Sequence, residues 1–212
     1  MKLALKLPRF PRLFLGTSAC LLVAVAGAVS CVFGTRLTAA SGESDVRADR
    51  AAGLRAFAAV ASVVRSPRCI NCHPAGDVPR QTDLQQPHFP AVARGPDGHG
   101  VVGMRCSACH QVENQSNGVP GAPHWGLAPR SMAWAGLDDR ALAEQLKDPH
   151  RNGHRTLAQM IEHVSTEDLV LWAWQPGIGR EQPPLTHAQF VQSFKDWVAA
   201  GAPLPEPQKS NL

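Results

Sequence analysis

Cys69-Ile70-Asn71-Cys72-His73 and Cys106-Ser107-Ala108-Cys109-His110 are the two stretches on which the reading of this chain turns. Both follow Cys-x-x-Cys-His, the attachment signature of c-type haem. Two intervening residues span about one helical turn, so both thiols reach the two vinyl groups of one porphyrin and form thioethers from a single short segment. The histidine that follows falls beneath the iron and supplies an imidazole nitrogen as proximal ligand. A covalently held cofactor needs no large engulfing core, which suits a chain of 212 residues. The motifs therefore assign Cys69, Cys72, Cys106 and Cys109 as thioether donors to two haems c, and His73 and His110 as proximal iron ligands.

Other uses of four cysteines fit less well. The pairs are separated by 33 residues, against about 15–20 in common zinc modules, and zinc does not need a histidine after each pair. Disulfides within each pair would close only tiny loops. A thioredoxin-like redox motif would want a βαβ context, and none is visible.

The N-terminus sets the compartment. Lys2, Lys6, Arg9 and Arg12 precede a run of 22 uncharged residues, Leu13 to Gly34, the pattern of an export signal. The run is long for a cleaved signal and long enough for a membrane helix, which leans the reading toward a retained anchor. Thr38-Ala39-Ala40 before Ser41 offers a cleavage site, and Ala28-Val29-Ser30-Cys31 imitates a lipoprotein box poorly. In every case the basic residues stay inside and the body faces the periplasmic side of the inner membrane, N-terminally anchored or released. Cys20 and Cys31 read as small hydrophobes of that run. Of the 21 Lys and Arg, five precede Gly42, leaving 16 against 17 acids in the body. That balance lacks the positive excess that phosphate backbones require, so nucleic acid is excluded as a partner.

The remainder reads as mostly α with long loops and a haem-centred core. Residues 41–66 form an amphipathic pattern, with Leu54, Phe57, Val60 and Val64 on one stripe and Pro67 as the stop. Pro74 to Arg105 is rich in Pro, Gly, Gln and Asp, which predicts loop wrapped on a cofactor, and Pro120 to Arg130 is loop again. Helices follow at Leu137–Lys147, from a capping box Thr156-Leu157-Ala158-Gln159, at Asp168–Trp174 stopped by Pro176-Gly177, and from a cap at Thr186. The last carries Phe190, Phe194, Trp197 and Val198, and ends at Gly201.

Each iron also needs a second axial ligand or an open face, and seven histidines and three body methionines are spare. His88 sits in Gln86-Pro87-His88-Phe89-Pro90, where prolines restrict the backbone and leave an imidazole little entropy to lose. His163 flanks the apolar stripe of its helix, positioned to reach sideways to a buried iron. These two are the distal candidates. Met132, in Ser131-Met132-Ala133-Trp134, is the thioether alternative, ahead of His124 and of Met160, which shares a packed face. Met104 lies too near Cys106. His99, His150, His154 and His187 read as surface.

The stretch from Cys69 to Pro203 resembles small exported dihaem c-type cytochromes of the multihaem class, in which a His-bearing loop, here Pro87-His88, joins the two motifs. Its tail, with His163, Leu169-Val170-Leu171-Trp172-Ala173-Trp174-Gln175-Pro176-Gly177 and Gly201-Ala202-Pro203, is similar to cytochromes that accompany isoquinoline 1-oxidoreductase, a molybdenum hydroxylase. The resemblance implies a cytochrome c-like fold; the chain as a whole reads as a signal or anchor segment over 1–40, a dihaem domain over 41–205 and a flexible tail over 206–212. It also implies redox partner proteins, a molybdenum hydroxylase or another dehydrogenase among them. No molybdopterin or flavin fingerprint appears, so the hydroxylation chemistry would belong to the partner. The expected function is electron transfer between a dehydrogenase or membrane donor and a downstream acceptor, not enzymic turnover. The alternatives are a peroxidase-like dihaem enzyme with one open haem, using His99, His124 or Glu113 as acid or base, and a haem-based sensor.

Overall fold

No proline falls between Cys31 and Val64, so nothing removes a backbone donor along that stretch, and the chain runs as one helix, α1, over Cys31–Val64. The sequence pattern had placed its start at residue 41 and its end at 66. The computed structural model describes residues 31–207, so the leader over 1–30 and the end of the tail lie outside the described residues. Among these no helix is long and apolar enough to cross a membrane. Glu206, the first residue of the expected tail, pairs with Arg50 of α1 at 3.0 Å.

The protein is mostly helical. A four-residue turn of helix, α2 (Pro67–Ile70), begins at the expected proline. Two short antiparallel hairpins then interrupt the predicted loop: β1 (Arg80–Gln81) with β2 (Gln86–Pro87), and β3 (Gly100–Val101) with β4 (Met104–Arg105). Gly100, at φ +90°, takes a conformation closed to other residues and brings β3 alongside β4 immediately before Cys106. The C-terminal half supplies α3 (Asp139–Lys147), α4 (Leu157–Thr166), α5 (Asp168–Leu171) and α6 (His187–Ala199).

The caps are local chemistry made visible. Asp138 accepts from the Ala141 amide at 2.7 Å and starts α3. Thr156 and Gln159 exchange reciprocal bonds of 3.2 and 2.9 Å at the start of α4, and Thr186 with Gln189 repeats the device on α6. The expected helix over Asp168–Trp174 is α5 followed by a 3₁₀ turn over Trp172–Trp174, because the chain must tighten before Pro176.

α1, α3, α4 and α6 bury one apolar cluster. Phe57, Val60 and Val64 of α1 meet Leu142 and Leu146 of α3, Met160 and Val164 of α4, and Phe190, Phe194 and Trp197 of α6. Cys69 packs against the edge of this cluster, whereas no residue of the 3₁₀ turn Cys106–Ala108 is buried. The two motifs thus occupy different settings, one against the core and one in the loop region.

At Gly53, α1 packs closely against the chain at the end of α6. A Cβ there would lie 2.7 Å from both the Ala200 Cβ and the Pro203 Cγ. Gly→Ala inside a helix ordinarily gains about 1 kcal/mol, but overpacking against a ring and a methyl group costs about 1–3 kcal/mol. Gly53→Ala is therefore expected to lower the urea midpoint of unfolding despite its better helix propensity; a raised midpoint would contradict the close packing.

Candidate functional site

Each pentapeptide is wound as a single turn held on its first cysteine. The Cys72 and His73 amides both donate to the Cys69 carbonyl, at 3.0 and 3.1 Å, and the Cys109 and His110 amides both donate to the Cys106 carbonyl, at 3.1 and 2.9 Å. This winding brings both sulfurs and the histidine of each motif to one short segment. No disulfide joins these four cysteines. Burial pushes the Cys69 thiol up to about 12 and the Cys72 thiol up to about 11. Cys72 and Cys106 lie near enough to feel each other's charge, so the two motifs are neighbours in space.

The two motif histidines are fixed in the same way. His73 Nδ1 bonds the Met132 carbonyl at 2.7 Å, and His110 Nδ1 bonds the Pro120 carbonyl at 2.7 Å. A carbonyl only accepts, so in each ring Nδ1 carries the proton and the Nε2 lone pair is left for a ligand bond. Burial, opposed by the Met132 carbonyl and helped by neighbouring His163 and Arg94, lowers the His73 pKa to about 4. Burial also lowers that of His110, with His88 nearby pushing the same way. Both rings are thus kept in the neutral, ligating form. Each is also backed by a tryptophan: Trp134 stacks on His73 at 3.4 Å and 6°, and Trp125 on His110 at 4.6 Å and 11°.

A cavity of about 390 Å³ opens at the second motif, within the range of cofactor sites. Cys106, Cys109, His110 and Trp125 line one part of it, and His88 faces them with its ring centre 5.9 Å from that of His110. His88 Nδ1 is tied to the Pro90 carbonyl at 3.0 Å, again leaving Nε2 free. Cys72 of the first motif reaches the same wall, as do Arg68, Arg80, Arg105 and Arg180, with no carboxylate among the lining residues.

At the first motif, His163 is half-buried on α4, its proton affinity lowered by burial, and close enough to act on His73. Met132 meets this motif differently from the thioether expectation. Its carbonyl holds His73 from the Nδ1 side, and its sulfur is directed to Gly153, 3.4 Å from a Cβ built there. Met160 is packed in the apolar core. Arg94 is buried beside this motif, bound to Asp77 at 3.3 Å and to the Gly76 carbonyl at 3.0 Å, with Nη1 unpartnered.

The remaining histidines divide. His124, His150 and His154 are exposed, as is Glu113. His99 and His187, expected at the surface, are half-buried with rings held by the carbonyls of Trp125 at 3.0 Å and Val164 at 2.8 Å. Among the described residues no group of three or more His, Cys, Asp or Glu gathers as a purely side-chain metal site. Sequence reasoning passed over Trp125, Trp134, Arg68 and Arg94. One signal was available, since an arginine directly precedes each motif, Arg68 before Cys69 and Arg105 before Cys106.

Comparisons with protein-family models, with curated proteins and with solved structures find no match for this chain.

Proposed function

We propose that this chain is an exported dihaem c-type cytochrome, a one-electron carrier between a dehydrogenase or membrane donor and a downstream acceptor. The observation that carries the reading is the paired architecture of the motif histidines, each ending a Cys-x-x-Cys turn and donating Nδ1–H to a backbone carbonyl at 2.7 Å. A hydrogen-bonded Nδ1 is what orients a metal-ligating imidazole and raises its basicity.

The residues present fit the cofactor. Cys69 and Cys72, and Cys106 and Cys109, would hold one haem each through thioethers, with His73 and His110 below the irons. The cavity at the second motif is bounded by arginines alone among charged residues, which suits a group bearing two carboxylates. Buried donors without a partner, Arg68 Nε, Arg94 Nη1 and Trp134 Nε1, stand near the two motifs, and unpaired buried donors call for an acceptor. When bound, each haem supplies an iron that cycles between Fe(II) and Fe(III).

The chain's own residues then do the rest. His88, whose ring centre lies 5.9 Å from that of His110 and whose Nε2 is free, would hold the iron of the second haem together with His110. His163, near His73, is the corresponding residue at the first motif. Histidine on both sides excludes water and lowers the potential relative to Met/His ligation. The helix-built cluster that Cys69 adjoins would give the first haem a low-dielectric wall, as a cytochrome c-like core requires. In this reading the body works on the periplasmic side of the inner membrane, and its partners are redox proteins, a molybdenum hydroxylase or other dehydrogenase among them.

Expression with a c-type maturation system tests the proposal. A pyridine haemochrome assay and intact mass are expected to report two covalent haems per chain. A colourless product, or a mass lacking both macrocycles, overturns it.

A further inference from the structure

Arg68 belongs by sequence to the first motif, as the residue before Cys69, yet its side chain forms part of the wall of the second motif's cavity, with Cys106, Cys109 and His110. The side chain is 2% exposed. It pairs with Asp83 through Nη2, and its guanidinium carbon lies 5.9 Å from the centre of the Trp172 ring. Its Nε is buried with no partner. A buried guanidinium with an idle donor is costly unless something accepts from it.

Arg180 approaches the same cavity from the loop before α6, braced by the carbonyls of Pro176 at 3.2 Å and Gly118 at 2.8 Å. Burial, and after it the nearby Arg68 cation, make the charge of Arg180 harder to hold. Asp83 is the carboxylate they share, and part of its capacity goes to the Glu181 amide at 3.2 Å. One partly committed negative charge against two guanidiniums leaves the wall short of an anion. The planar forks of arginine match carboxylate oxygens.

We propose that Arg68 and Arg180 hold the carboxylates of the tetrapyrrole attached at Cys106 and Cys109, so that the arginine of the first motif serves the second. This rests on the dihaem reading. Neutralising those carboxylates favours Fe(II) at the second centre, and Asp83 works against that effect.

The test is a potentiometric titration of the dihaem protein, the second centre being identified as the one whose EPR signature His88→Ala alters. Arg68→Gln and Arg180→Gln are each expected to shift that centre to lower potential, Arg68→Lys to shift it less, and Asp83→Asn to shift it higher. Opposite signs at Arg68 and Asp83 are the electrostatic signature, since disruption of a merely structural ion pair by either partner moves the potential the same way. Unchanged potentials, same-sign shifts, or shifts confined to the other centre overturn the inference while two haems remain on the chain. A product without two haems instead overturns the dihaem reading itself. Should Arg68→Gln fail to accumulate, Arg180→Gln and Asp83→Asn, on partly exposed side chains, decide the matter by the same signs.

Discussion

On the dihaem reading, replacing His88 with alanine is expected to turn one of two low-spin centres high spin and open it to cyanide and carbon monoxide, while the other centre keeps its spectrum. His88 stands across the cavity from His110 at 5.9 Å between ring centres and is tethered by its own loop through Pro90, so its loss leaves no second imidazole on that wall. His163→Ala is expected to do the same to the first centre alone. Met132→Leu, by contrast, leaves both spectra low spin, because Met132 holds His73 through a backbone carbonyl that survives the substitution. Optical and EPR spectra of the three variants check all of this together. An unaltered spectrum for His88→Ala removes that residue as a ligand, and a high-spin signal in the unmodified protein would favour the peroxidase-like alternative.

Trp197→Ala is expected to cost about 3–5 kcal/mol of stability, a large share of the 5–15 kcal/mol typical of a domain. Trp197 is 0% exposed, lies 5.0 Å from the ring centre of Phe57 on α1 and 5.5 Å from that of Phe194, and donates Nε1–H to the Pro203 carbonyl at 3.1 Å. The substitution therefore opens a cavity where α6 meets α1 and strands a buried acceptor at once. Denaturant unfolding followed by far-UV circular dichroism measures the loss. A loss below about 1 kcal/mol would mean the site collapses around the gap and that the contact between these helices is looser than its ring distances suggest.

What could be read from sequence were the features encoded within a few residues of themselves. Thr156 with Gln159 and Thr186 with Gln189 announce helix starts because the capping box is complete within four positions. The pentapeptides announce their chemistry for the same reason. What escaped were pairings across long stretches of chain. His73 is oriented by a carbonyl 59 residues away, and nothing near Met132 marks its backbone for that task. His99 and His187 have neighbours typical of surface, a glycine pair and a helix start, yet their rings bind carbonyls 26 and 23 residues distant. Arg68 was passed over because a single arginine beside a motif reads as a solvated charge until its burial is seen.

The thiols of the first motif carry a consequence for biogenesis. In the folded protein burial pushes the Cys69 and Cys72 thiols up to about 12 and about 11, which disfavours the nucleophilic thiolate at both. A thiol held in its protonated form is a poor nucleophile for thioether formation. On the dihaem reading, the bonds at this pentapeptide are therefore expected to form before the chain has folded, while its sulfurs are still surrounded by water.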